Sequence, residues 1–145
     1  MPTSLAKLGE FGLIDRLQTL LPSFSPKEWS RGIGDDAAVR PLGGHRFELL
    51  TQDLLLEGVH FLRGSREDFE ALGWKALAVN LSDIAAMGGR PKGAVIGLGL
   101  PKKTELSQVE SLYRGLAAAA RRFACPIVGG DTNASKGGWV QSKDG

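Results

Sequence analysis

The stretch Lys75–Gly88 reads KALAVNLSDIAAMG, and it is the part of the chain that decides the fold class. It lies inside a longer run, residues 69–87, in which apolar side chains recur at helical spacing until two glycines end the pattern. Asn80 and Asp83 interrupt the apolar run three residues apart, which places them on one face of a helix. A polar pair in such surroundings needs a partner. The stretch therefore predicts a long helix that carries chemistry as well as a core face.

Apolar spacing and turn residues predict six further elements around this helix. They are helices at 8–21 and 105–123, and strands at 37–40, 47–51, 93–100 and 126–128. Thr104 stands in the N-cap position of the helix at 105–123. Another extended run starts at Trp139–Ser142. In the strand at 93–100 we expect the glycine face to be closely approached by other backbone. Without regular β-α alternation, these elements predict an α+β fold, with a mixed or antiparallel sheet and helices on one face.

Length and composition fit a globular protein. The 145 residues suffice for one domain, 1–145, and 42% hydrophobic with 23% charged residues excludes a disordered chain. The 18 basic and 16 acidic residues are spread along the chain, so no nucleic-acid partner is indicated, and no run approaches the length of a membrane span. The single cysteine, Cys125, excludes an internal disulfide. We expect a cytoplasmic protein.

Aspartates stand at the ends of the predicted elements or inside a helix. They are Asp35 and Asp36 after a glycine, Asp53 after a strand, Asp83 in the long helix and Asp131 after Gly129-Gly130. Magnesium takes oxygen ligands, with one or two carboxylates for each ion, and clustered carboxylates repel one another unless cations neutralise them. Converging aspartates would therefore imply bound metal. The alternative is that each aspartate is a turn or cap residue, which is the favoured interpretation for any one of them alone except Asp83.

Other kinds of phosphate site and covalent catalysis find no support in the sequence. There is no Gly-Lys-Ser/Thr phosphate loop and no dinucleotide-binding glycine fingerprint, so phosphate recognition would run through metal ions. Neither histidine stands in an arrangement that indicates a nucleophile and its base. A lone histidine such as His60 is more often structural than a ligand. We predict no catalytic side chain of the nucleophile or acid-base type.

Five motifs, taken in order and spacing, resemble the N-terminal ATP-binding domain of thiamine-monophosphate kinase, a member of the aminoimidazole-ribonucleotide-synthetase-like superfamily. They are Gly9-Glu10-Phe11, Gly32–Ala38, Glu57–Phe61, Lys75–Gly88 and Gly129–Thr132. The resemblance covers about residues 8–132. It implies ATP-dependent phosphorylation of thiamine monophosphate to thiamine diphosphate, by direct in-line transfer with several Mg²⁺ ions and no phosphoenzyme.

The resemblance also implies roles for individual residues. The implied magnesium ligands are Asp36, Thr51, Gln52, Asp53, Asp83 and Asp131. Gly130 and Asp131 would lie against ATP, and His60 would contact thiamine monophosphate. Gln52 departs from the family, which has serine or threonine there, so that one contact lacks its hydroxyl. Family members are homodimers that pair the strands of their N-terminal domains, and a homodimer is expected here, with no nucleic-acid or membrane partner.

Two alternatives remain open from the sequence. The chain could be another ATP-dependent synthetase of the same superfamily, acting on a different acceptor, although Glu57–Phe61 and the Asn80–Gly88 segment favour the thiamine branch. It could also be a non-catalytic nucleotide-binding or dimerisation fragment, because the C-terminal domain of the family, which supplies further contacts, has no counterpart in this chain.

Overall fold

The computed structural model describes residues 4–23, 25–62 and 66–135. The extended run expected at Trp139–Ser142 lies outside these residues. The chain divides into two compact units, Met1–Thr51 and Gln52–Gly145. Helices and two small sheets make up the described residues, which confirms the α+β class. None of the described helices is both long and apolar enough to cross a membrane.

The first unit consists of a helix and a β-hairpin. Helix α1 spans Leu5–Leu20, begins earlier than predicted, and is interrupted at Gly9, whose φ is 70°. Strands β1 (Ala38–Gly43) and β2 (Arg46–Leu50) pair antiparallel, as predicted, and an ion pair of 2.7 Å joins the register partners Arg40 and Glu48. Positive φ angles at the tip of the hairpin allow the chain to reverse there.

Two long helices and a parallel strand pair make up the second unit. Helix α2 spans Arg66–Ala86 and helix α3 spans Leu106–Arg122, each close to its predicted bounds. Strands β3 (Ala94–Pro101) and β4 (Ile127–Ser135) pair in parallel, with α3 as the crossover between them. Strand β4 is longer than predicted, so that Asp131 lies inside a strand and not after one.

The core of this unit is the seam between α2 and α3. Leu77, Leu116, Ala119 and Cys125 are buried together, and apolar side chains of β3 and β4 pack against them. Glycines let the helix backbones touch: a Cβ at Gly115 would overlap the carbonyl oxygen of Glu70. Gly73 faces α3 in the same way. These glycines are required by close packing, since a methyl group has no space at either position.

Two local predictions were wrong. Thr104 is not the N-cap of α3, because the cap is Glu105, whose backbone N–H donates to the Gln108 side chain over 3.1 Å; the Thr104 hydroxyl is buried instead. The glycine face of β3 is not closely approached by described residues, since a Cβ at Gly97 or Gly99 would meet nothing within 4 Å. The alternation itself is correct, because its other face is half-buried against the core.

Candidate functional site

In the first unit, Asp36 and Thr51 lie where the two strands of the hairpin meet the flanking loops. The Thr51 hydroxyl donates a hydrogen bond of 3.1 Å to the backbone carbonyl of Asp36, which joins the end of β2 to the start of β1. Ala37, next in the chain, is buried and anchors this point. The Asp36 carboxylate is exposed and has no polar partner among the described residues. It is therefore open to a cation.

Asp35 has a different environment, although it is the neighbour of Asp36. One of its carboxylate oxygens accepts the Asp36 backbone N–H at 3.0 Å, and the other pairs with the Arg31 guanidinium at 2.6 Å. The backbone hydrogen bond first, and then the bond from Arg31, hold the pKa of Asp35 below its ordinary value. Asp35 therefore shapes the loop, while Asp36 stays available as a ligand.

In the second unit, Asp53 lies in a loop that runs along α2. Its backbone N–H donates to the side-chain oxygen Oδ1 of Asn80 over 2.9 Å, and the Asn80 amide nitrogen donates to the Ala76 carbonyl over 3.0 Å. Within the described residues the Asp53 carboxylate has no polar partner. Asp83 lies three residues further along α2 and is half-buried. The structure thus gives Asn80, one member of the polar pair on α2, the partner that the sequence required.

His60 closes a tight loop that follows Asp53. The ring nitrogen Nδ1 of His60 accepts the Leu56 backbone N–H at 2.9 Å, and the His60 backbone N–H donates to the Leu56 carbonyl at 2.9 Å. Because Nδ1 is an acceptor here, a neutral ring carries its proton on Nε2, which has no described partner. The Lys75 ammonium donates to the His60 carbonyl over 2.8 Å and ties the loop to α2.

A pocket of about 240 Å³ lies beside this loop. Its lining combines apolar side chains with an imidazole, a carboxylate and an ammonium: His60, Phe61, Leu62, Asp68, Phe69, Ala71, Leu72 and Lys75. Such a mixture suits a small organic molecule that carries charge, since apolar side chains can contact its nonpolar part and the polar groups can orient it.

Gly130 and Asp131 lie in β4, beside β3. A Cβ at Gly130 would overlap the carbonyl oxygen of Ile96, so the pairing of the strands already requires glycine at this position. The Asp131 carboxylate accepts the Thr132 backbone N–H at 2.9 Å and the Asn133 side-chain amide at 2.7 Å. Asp131 and Asn133 pair in register with Gly97 and Gly99, which lack side chains. The carboxylate is thus oriented above an open strip of the sheet.

The predicted ligand set divides between the two units. Asp36 and Thr51 belong to the first, and Gln52, Asp53, Asp83 and Asp131 to the second. In the part of the chain that the structure describes, no three acidic, histidine or cysteine side chains approach one another closely enough to hold an ion. The full cluster remains a prediction. Its chemistry fits magnesium, because every donor is an oxygen and the Asp36 and Asp53 carboxylates are exposed.

Sequence reasoning missed Lys75 and the pocket beside it. Lys75 is the first residue of the stretch that decides the fold, and a lysine five residues before an asparagine in an apolar run indicates nothing by itself. Its role depends on a contact across 15 positions, with the carbonyl of His60. That contact follows from tertiary structure alone, and no local pattern signals it.

Comparison with protein families matches residues 34–142 to the family described as AIR synthase related protein, N-terminal domain. The matched segment contains every residue of the predicted site.

Curated relatives and solved structures agree with this match. The thiamine-monophosphate kinase of Aquifex aeolicus is 46% identical over 91% of the chain and 40% of its own length, and that of Synechococcus elongatus is 41% identical over 91% and 38%. A solved structure described as AaThiL complexed with AMPPCP and TMP superposes with a TM-score of 0.82, at 44% identity, over 94% of this chain and 41% of that one. The chain thus spans about two fifths of the length of the proteins that it matches.

Proposed function

This chain belongs to the AIR synthase related protein family, through its N-terminal domain, and from that membership we propose that it is the ATP-binding part of a thiamine-monophosphate kinase. The reaction would transfer the γ-phosphoryl group of ATP to thiamine monophosphate, giving thiamine diphosphate. The observation that carries the proposal is the 46% identity to the Aquifex aeolicus enzyme over 91% of this chain. The similar structure with AMPPCP and TMP supports the same pair of ligands.

The nucleotide would lie against Gly130 and Asp131. Glycine at 130 brings the backbones of β3 and β4 together, and the Asp131 carboxylate is oriented by two local hydrogen bonds. Both features support a rigid edge for a phosphate-bearing ligand. Thiamine monophosphate would contact His60, whose Nε2–H can donate to a phosphate oxygen while Nδ1 stays bonded to the Leu56 amide.

Magnesium would be held by oxygens of Asp36, Thr51, Gln52, Asp53, Asp83 and Asp131. The ion supplies charge neutralisation and alignment for transfer between two anions, which needs little acid-base chemistry. The protein's own task is to hold carboxylates in place before the nucleotide arrives. Asp53 and Asp36 support this assignment because both project exposed carboxylates from loops that other side chains hold. At Gln52 only amide or carbonyl oxygens can serve.

We also propose a cytoplasmic homodimer. Exposed apolar side chains on strands support it: Val95 and Val128 are 71% and 70% exposed in the second unit, and Phe47 and Leu50 are 58% and 62% exposed in the first. Strand edges and apolar strand faces of this kind are usually covered by a partner. A second copy of the chain would cover them through a symmetric interface.

The acceptor tests the proposed function most sharply. We expect the folded chain to bind thiamine monophosphate when Mg²⁺ and AMPPCP are present, and we expect His60→Ala to weaken that binding while leaving AMPPCP binding unchanged. Calorimetric titration measures both, and ³¹P NMR with ATP follows any formation of thiamine diphosphate. A matched titration with the acceptors of the other synthetases should give no heat. Binding of one of those acceptors in place of thiamine monophosphate would contradict the assignment.

A further inference from the structure

Asn80 makes two side-chain hydrogen bonds that together hold the Asp53 loop on helix α2. Oδ1 accepts the Asp53 N–H at 2.9 Å, and the amide nitrogen donates to the Ala76 carbonyl at 3.0 Å. The amide orientation is determined by these partners, because the reversed orientation would set a donor against the Asp53 N–H. Both the amide oxygen and the amide nitrogen of Asn80 are therefore engaged in hydrogen bonds.

The two hydrogen bonds of Asn80, called the Asn80 clamp below, hold a loop that has little other support. Residues 51–56 form neither helix nor strand before the isolated bridge at Glu57, so no regular ladder fixes the backbone of Asp53. Among the described residues, the bond to Asn80 is the hydrogen bond that ties Asp53 to a regular element. Asparagine is also a poor residue for the interior of a helix, so a structural benefit to α2 alone does not explain it.

Asn80 also sets the distance between two predicted ligands. Asp83 lies three residues on, which is an advance of about 4.5 Å along the helix axis and the same face. The backbone N–H of Asp53 is hydrogen-bonded to the Asn80 side chain, so Asn80 fixes the backbone position from which the Asp53 carboxylate extends. Since metal coordination tolerates displacements of only about 0.2 Å, the position of the loop decides whether the two carboxylates can serve one ion.

We propose that Asn80 is a positioning residue that holds the Asp53 loop on α2, so that Asp53 and Asp83 present their carboxylates to the same magnesium-nucleotide complex. The proposal rests on the proposed function for its ligand, while the clamp itself is observed. Asn80 does not touch the nucleotide or the metal in this account. It acts through the backbone of Asp53.

Two variants separate the two hydrogen bonds of Asn80. Asn80→Ser keeps a hydroxyl that can bond back to the Ala76 carbonyl but is too short to reach Asp53. Asn80→Asp keeps the acceptor for the Asp53 N–H and loses the donor to Ala76. Ser82→Ala is the matched control, because Ser82 lies on the same turn of α2, is exposed, and has no polar partner among the described residues. Far-UV circular dichroism checks that each variant is folded.

The experiment measures the Mg²⁺ concentration that half-saturates binding at fixed AMPPCP, and the hydrogen-exchange rate of the Asp53 amide by NMR. We expect Asn80→Ser to raise the half-saturating Mg²⁺ concentration by roughly 10- to 100-fold and to speed exchange at Asp53, and Ser82→Ala to change neither. Asn80→Asp should keep the Asp53 amide protected. Wild-type Mg²⁺ dependence in Asn80→Ser, or equally fast exchange in the serine and aspartate variants, would overturn the proposal. If the wild-type chain binds no AMPPCP with Mg²⁺, the proposed function fails, and the exchange rates still decide the clamp.

Discussion

Helix α2 takes part in two contacts that are held by different forces. One is the seam with α3, and the other is the contact with the Asp53 loop and the turn at His60. The seam is apolar and so close that glycine is required at Gly73 and Gly115. The loop is held by single polar side chains, Asn80, His60 and Lys75, at or near the surface. The contrast shows that one face of α2 packs against α3, while another carries the polar contacts of the candidate site. Changes on the two faces should therefore be felt in different measurements.

The largest effect on stability is expected at the seam. Gly115→Ala places a methyl group on the Glu70 carbonyl, which should cost about 3 kcal/mol. Because alanine's better helix propensity offsets about 1 kcal/mol of that cost, we expect the free energy of unfolding to fall by about 2 kcal/mol. Urea denaturation measures it. Gly97→Ala is the control, since open space surrounds that position, and it should stay within about 0.5 kcal/mol of wild type. Equal stability of the two variants would mean that the helices do not pack this closely.

A smaller and more local effect is expected on the loop face. Lys75→Met removes the bond to the His60 carbonyl, and because the ammonium is exposed, the free energy of unfolding should fall by less than about 1 kcal/mol. Amide exchange at Gly58 and His60 should become faster, since those amides close the loop. Lys92→Met, at an exposed lysine with no described polar partner, is the control. Unchanged amide exchange at Gly58 and His60 in Lys75→Met would show that the loop's own hydrogen bonds are sufficient to hold it.

The smallest effect concerns the other polar loop, at Asp35. Arg31→Ala removes the second of the two groups that lower the pKa of Asp35, so that pKa should rise but stay below its ordinary value, because the Asp36 N–H remains. A carboxylate with a lowered folded pKa stabilises the fold above its unfolded pKa, and that contribution is lost as pH falls through the folded pKa. The variant should therefore lose this contribution at a higher pH. NMR titration of the Asp35 carboxyl measures the change, and an identical titration curve would contradict it.

Much of the fold could be read from the sequence because it depends on local patterns. Apolar spacing located α2 and α3, and the turn residues located the hairpin. The prediction that Thr104 is the N-cap of α3 was wrong. Its hydroxyl is buried and Glu105 takes the cap position, an outcome that depends on packing. The end of β4 was placed too early because the glycines at 129 and 130 suggested a turn, whereas the close approach of Ile96 requires a glycine within the strand.

The candidate site was predicted from residue types and from a family resemblance, and the structure adds what those could not provide. The polar pair on α2 predicted a missing partner but not its identity, which is a backbone amide 27 positions away. The roles of His60 Nδ1 and Lys75 depend on loop geometry. Whether all six predicted ligands converge is a question of tertiary structure across the two units, and it stays a prediction.

The most direct test of the account is titration of AMPPCP into the chain with and without Mg²⁺, for the wild type and for Asp83→Asn. The variant removes a carboxylate charge at nearly constant side-chain shape. Asp83 is not one of the residues packed between α2 and α3. We predict Mg²⁺-dependent binding by the wild type, loss of that binding in Asp83→Asn, and an unfolding transition of the variant close to that of the wild type. Unchanged Mg²⁺-dependent binding in a folded Asp83→Asn variant would contradict the carboxylate site.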